Sequence, residues 1–128
     1  FHDADDYHRA SNITKMKSGL PLTDADRRPW LETLSALLCS PVVLACSALK
    51  SSYREQLSQQ IEPTFIYLQI SRQTATQRLH ARPGHFMPSS LVESQFATLE
   101  SPVNAIIVDA EQDPKAVLAA CLRQLAGY

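Results

Sequence analysis

Three short, largely apolar runs rich in β-branched residues constrain this chain more than any other feature. They are Pro41-Val42-Val43-Leu44-Ala45-Cys46, Thr64-Phe65-Ile66-Tyr67-Leu68-Gln69-Ile70 and Ala105-Ile106-Ile107-Val108-Asp109. None alternates apolar with polar, so each reads as a strand buried on both faces of a parallel sheet rather than one with a wet side. A fourth, short strand is expected at Phe1 to Asp3. Helical patterns separate the runs, and strands alternating with helices specify an α/β fold with crossover connections. In such sheets ligands sit at the carboxyl ends of the strands. Those ends are Asp3 to His8, Ser47 to Lys50, the stretch after Ile70, and Asp109 to Asp113.

The helices have legible boundaries. Arg9 to Lys17 stops at Gly19, as a left-handed C-terminal cap would require. Thr23, Asp24 and Asp26 mark the next start, and Pro29 predicts a restart or kink before Trp30, Leu34, Leu37 and Leu38 bury one face. A helix to about Gln60 follows Lys50. Ser71 caps one carrying Arg78, Leu79 and Arg82, which Pro83-Gly84 breaks. Ser90-Leu91-Val92-Glu93 is a capping-box sequence, and Asp113-Pro114 opens a last helix with Val117, Leu118, Cys121, Leu122 and Leu125 inward.

Composition narrows the partners. Lys and Arg number 12 against 13 Asp and Glu, a net charge of −1 with no basic stripe, so a nucleic-acid or membrane-surface binder is not expected. No apolar run reaches the roughly 18 to 20 residues of a membrane span. Cys39, Cys46 and Cys121 are odd in number and lack CxxC spacing, which fits a reducing compartment. Phe1 opens the chain on what reads as the end of a strand, and we expect further sequence upstream.

Several clusters could carry chemistry. Asp3, Asp5 and Asp6 crowd after the first strand, where a cation or substrate hydroxyl would relieve their repulsion; equally, they could be turn residues. Lys50 and Arg54, after Ser47, suit an anionic or polyhydroxyl ligand or a solvated helix face. Arg78 and Arg82 precede a glycine-hinged string, Gly84-His85-Phe86, as in a lid over phosphates, or serve structure alone. His2, His8, His80 and His85 have no metal-ligand spacing, and Cys46 lacks an activating partner.

Taken together, the strings DADDYH, SGLPLTDADRRPWL, CSALKSSYRE and RPGHFMPSSLVESQFATLE resemble the gluconate kinases of the P-loop phosphotransferase class. They occur in the family's order from Phe1 to about Glu100. The resemblance implies one domain over residues 1–128, with a lid at about 78–90, and a three-layer P-loop kinase-like parallel sheet with flanking helices. It implies transfer of the ATP γ-phosphate to the 6-hydroxyl of D-gluconate with Mg²⁺, a cytoplasmic location and a homodimer. It gives Asp3 a role on Mg²⁺ through water and Asp5 a role as base or orienter of the hydroxyl. Arg27, Lys50 and Arg54 would grip gluconate, with His85 and Gln95 assisting, and Arg78 and Arg82 would neutralise the transferring phosphoryl group. One departure matters: a GxxxxGK(S/T) loop is absent, and three glycines leave no substitute. The sheet is therefore expected to lack its first, central strand and its phosphate-binding loop. A non-catalytic sugar-acid-binding or interaction module is the alternative reading.

Overall fold

A computed structural model describes residues 1–84, 88 and 90–128. Strand β1 (His2–Asp3) leads through a 3₁₀ turn (Ala4–Tyr7) to helices α1 (Ala10–Lys17) and α2 (Asp24–Leu37). Strand β2 (Leu44–Ala45), α3 (Ser51–Leu57), β3 (Ile66–Gln69), α4 (Arg72–His80), α5 (Leu91–Thr98), β4 (Ile106–Asp109) and α6 (Pro114–Ala126) follow. Strands β1 and β2 pair in parallel with His2 opposite Leu44, and β3 and β4 pair in parallel with Ile66 opposite Ile106. Parallel pairing and alternation with helices are as the apolar runs require. No helix is long and apolar enough to cross a membrane among the described residues.

The four strands form two separate pairs rather than one sheet. Between β2 and β3 lies an apolar groove of about 890 Å³, lined by Leu44, Cys46, Phe65, Tyr67 and Phe96 among others. Each strand of a parallel pair aims half of its amide and carbonyl groups away from its partner. On the inner edges of β2 and β3 those groups face the groove. Strands β2 and β3 thus do not pair with each other, and a groove separates them.

The main core forms where α2 meets α3 and the 3₁₀ turn. On α2 the buried residues are Arg27, Trp30, Leu31, Leu34 and Ser35, one face at helical spacing. Thr23 and Asp26 cap its start in a complete capping box. The expected restart at Pro29 does not occur, and α2 is a single helix through it. A mid-helix proline costs about 3 kcal/mol, which burial of Trp30, Leu31 and Leu34 at 0–3% exposure offsets. Lys15 and Thr23 hold the Asp26 carboxyl down to about 2.

Other boundaries follow the sequence with instructive exceptions. Gly19, at φ +80°, ends α1 with Leu20 N–H donating to Lys15 O and Gly19 N–H to Met16 O, a Schellman arrangement. The capping box expected at Ser90 does not form, because Ser90 is itself helical in backbone and its side chain makes no cap hydrogen bond. Helix α3 stops at Leu57, short of Gln60, and α4 stops at His80, so Arg82 lies beyond it. Burial on both strand faces is only half realised: Ile106 and Val108 are buried while Ile107 is 51% exposed. On α6, Val117 and Cys121 are half-buried, but Leu118, Leu122 and Leu125 are exposed. Among the described residues Ile107, Leu118 and Leu122 stay open to solvent, while Cys121 and Leu125 line the groove between β2 and β3.

Two outcomes are expected. Leu34→Ala should cost about 2–5 kcal/mol in urea unfolding, whereas Leu118→Ala should stay within roughly 0.5 kcal/mol because its side chain already meets water. The Asp26 contribution to stability is complete above the ordinary value of 3.8 and is lost as pH falls through about 2. The stability gap between wild type and Asp26→Asn, followed by acid titration of unfolding, should therefore close across that window.

Candidate active site

Strands β1 and β2 end side by side, and their carboxyl ends open into a cavity of about 230 Å³. Asp3, Asp5, His8, Arg27, Arg82, Ser47 and Gln95 line it, with Trp30, Met16, Leu22 and Leu91 as apolar wall. The acidic string after β1 folds as a 3₁₀ turn because Asp3 Oδ1 accepts the Asp5 N–H at 3.0 Å. One Asp3 oxygen thus shapes the turn, and the turn places Asp5 on the cavity. Asp3 is thus a turn residue that also lines the cavity. The turn is anchored to α2 by Trp30, whose Nε1–H donates to Ala4 O at 2.7 Å.

Arg27 is held from behind. Its Nη1 donates to Tyr53 Oη at 2.9 Å, and the Tyr53 hydroxyl donates in turn to the Asp24 carboxylate. Lys50 Nζ donates to the same carboxylate at 2.9 Å. Tyr53 and Lys50 together keep the Asp24 carboxyl below its usual range, while burial, then the bond to Asp24, raises the Tyr53 hydroxyl. This Lys50–Asp24–Tyr53–Arg27 chain links α2 to α3 and fixes the guanidinium at the cavity.

The residues singled out from sequence divide into two sets. Asp3, Asp5, Arg27, Arg82 and Gln95 come together around the cavity. Lys50, Arg54 and Arg78 do not line it. Lys50 is engaged by Asp24. Arg54 donates to Ala48 O at 2.8 Å and to Glu100 O at 2.9 Å, bracing the turn where Ala48 takes a left-handed φ of +36°. Arg78 donates to Ala110 O at 2.7 Å and to Gln112 O at 2.9 Å, clamping α4 to the loop after β4. Guanidinium groups satisfy carbonyl clusters well because several donors diverge from one plane. His85 lies outside the described residues, as does part of the 78–90 segment.

Cys46 also borders the cavity. Burial, with Asp5 and Asp3 nearby, pushes its thiol up to about 11, so it stays protonated at neutral pH and is no nucleophile. Sequence reasoning passed over His8, which lines the cavity stacked on Trp30. The spacing from His8 to Trp30 gave no local signal, since the contact spans two elements.

A scan against protein-family models finds no match. Individual relatives are clear. A gluconokinase of Gluconobacter oxydans is 44% identical over 96% of this chain and 75% of its own length. The chain belongs to the gluconokinase family. A probable gluconokinase of Mus musculus is 40% identical over 98% of the chain and 83% of its own length. Among solved structures, a gluconokinase from Sinorhizobium meliloti superimposes with a TM-score of 0.87 at 43% identity, covering 98% of this chain and 76% of that one. An unliganded sugar kinase from Janibacter superimposes equally well, at 38% identity and over 79% of its length. The fold is thus that of the P-loop sugar kinases, α/β with parallel strands and flanking helices, and the family's chemistry is that of a phosphotransferase.

Replacing Arg54 by Ala is expected to destabilise this gluconokinase-family chain by about 1–2 kcal/mol, since a partly buried charged hydrogen bond to Ala48 O and an exposed one to Glu100 O are lost. Urea unfolding measures the loss. Binding at the cavity should survive it under conditions where the variant is folded.

Proposed function

We propose that the cavity binds D-gluconate and presents its 6-hydroxyl for phosphorylation by ATP, giving 6-phospho-D-gluconate and ADP. The observation that carries this reading is the convergence of two carboxylates and two guanidiniums on one cavity at the strand ends, in a chain of this family. Arg27 and Gln95 recognise the sugar acid, with the apolar wall excluding water. Asp5 orients the accepting hydroxyl and takes its proton as the oxygen bonds to the γ-phosphorus and ADP leaves. Arg82 neutralises the charge of the transferring phosphoryl group. Cytoplasmic action accords with the free thiols of Cys39, Cys46 and Cys121.

Mg²⁺ fits the site as a companion of the nucleotide phosphates. It is commonly held by one or two carboxylates, waters and substrate oxygens rather than by a protein cage. Asp3 supplies such a carboxylate at the cavity, with only its Oδ1 engaged by the turn. No cluster of three or more His, Cys, Asp or Glu gathers as a cation cage among the described residues. Held there by Asp3, the ion would supply positive charge to offset that of the nucleotide phosphates.

The 128 residues contain no GxxxxGK(S/T) sequence, whose amides and lysine would cradle the β- and γ-phosphates. That observation favours a second reading, a sugar-acid-binding module without phosphoryl transfer. Calorimetry with gluconate and a coupled assay for ADP separate the two. We expect gluconate to bind; gluconate-dependent ADP release then supports the first reading, and binding without ADP release the second. Extending the chain with a strand and phosphate loop should give turnover if the groove accepts them, and Asp5→Asn in that extended form should lower turnover about a hundredfold while gluconate still binds. Failure of gluconate to bind the chain would overturn both readings.

A further inference from the structure

His8 lines the cavity and has no role in the reading above. Its ring lies flat on the Trp30 indole, with centroids 4.3 Å apart and planes within 14°. Trp30 is itself fixed, 3% exposed and hydrogen-bonded through Nε1 to Ala4 O. Stacking on an immobile indole sets the imidazole plane and leaves the two ring nitrogens in different surroundings. Nδ1 is buried without any hydrogen-bond partner. Nε2 has no hydrogen-bond partner among the described residues and is not fully enclosed as Nδ1 is, on a ring that lines the cavity.

Burial, reinforced by the Arg27 charge, brings the imidazole down to about 4, so one proton is shared between two nitrogens at neutral pH. A buried N–H with no acceptor is the rarer and costlier defect, whereas an unused lone pair is better tolerated. The proton therefore belongs on Nε2. We propose that His8 is a substrate-binding residue, a neutral donor whose Nε2–H bonds a hydroxyl or carboxylate oxygen of the sugar acid in the cavity. This deepens the gluconate reading and rests on it. The site then offers carboxylates that accept from hydroxyls at Asp3 and Asp5, charged donors at Arg27 and Arg82, and one uncharged donor of fixed direction at His8. A polyhydroxylated acid, with acceptors and donors along one chain, matches that set better than a simple carboxylic acid does.

Nitrogen-15 NMR of the histidine-labelled chain, with His8 assigned by its loss in His8→Phe, reads the tautomer directly. We expect the Nε2–H form without ligand and a shift of that signal on gluconate titration. In calorimetry His8→Phe, which keeps a flat ring on Trp30 without a donor, should weaken gluconate binding about five- to tenfold, as loss of one hydrogen bond implies. His8→Gln, which can return an N–H near the Nε2 position, should recover to within about threefold of wild type. An Nδ1–H tautomer, or gluconate binding unchanged in His8→Phe, overturns the role of His8 alone. Should the wild-type chain give no gluconate heat, the acceptor reading itself falls and the assignment of His8 falls with it. If His8→Phe does not fold, the wild-type tautomer and the His8→Gln affinity decide the matter.

Discussion

One hydrogen bond, from Trp30 Nε1 to Ala4 O, joins the two parts that make the cavity. The 3₁₀ turn brings Asp3, Asp5 and His8, and helix α2 brings Arg27. Ala4 and Trp30 are both buried, so the bond forms away from water and leaves neither polar atom unsatisfied. Its geometry fixes how far the carboxylates of the turn stand from the guanidinium of the helix. Burial of Leu31 and Leu34 on the same helix holds that register from below.

Around this anchor, charged side chains divide their labour between site and scaffold. Arg27 and Arg82 reach the cavity, whereas Arg54 and Arg78 spend their donors on backbone carbonyls at loops that no strand partner satisfies. Lys50 acts at one remove, through Asp24 and Tyr53, on the orientation of Arg27. A guanidinium directed at carbonyls and one directed at a ligand look alike in sequence. Each sits near a strand end or a helix terminus, and only the fold tells which acceptors lie within reach.

That distinction explains how much was legible beforehand. The α/β class, the parallel pairing and the start of α2 at Thr23 follow from local patterns: β-branched runs, a capping box and a glycine stop. So does the position of Asp3 and Asp5 at a strand end, because the short turn leaves them nowhere else to go. Long-range matters did not follow. The stacking of His8 on Trp30 and the capture of Ala110 O by Arg78 depend on residues 22 and 32 positions apart, for which no periodicity speaks. Pro29 misled by local rule, since tertiary burial outweighed one missing amide. The exposure of Leu118 and Leu122 was hidden for the opposite reason: their spacing is correct for an inward face, yet both side chains stay open to solvent.

The open groove between β2 and β3 also bears on how the molecule responds to force and to heat. Hydrogen bonds make each strand pair a stiff plate, but no strand-to-strand ladder joins one plate to the other. The seam is carried by side chains and by a few bonds around Glu100, whose N–H donates to Leu49 O and whose carboxylate accepts the Ser51 N–H. Side-chain packing yields to shear more readily than a ladder does, so the seam is the soft direction of the structure. The cavity opens at the end of the β1–β2 plate, with Arg82 and Gln95 reaching it from the segments that follow β3. Opening at the seam would expose apolar surface and leave Asp3, Asp5, His8 and Arg27 together while drawing Arg82 and Gln95 away from them.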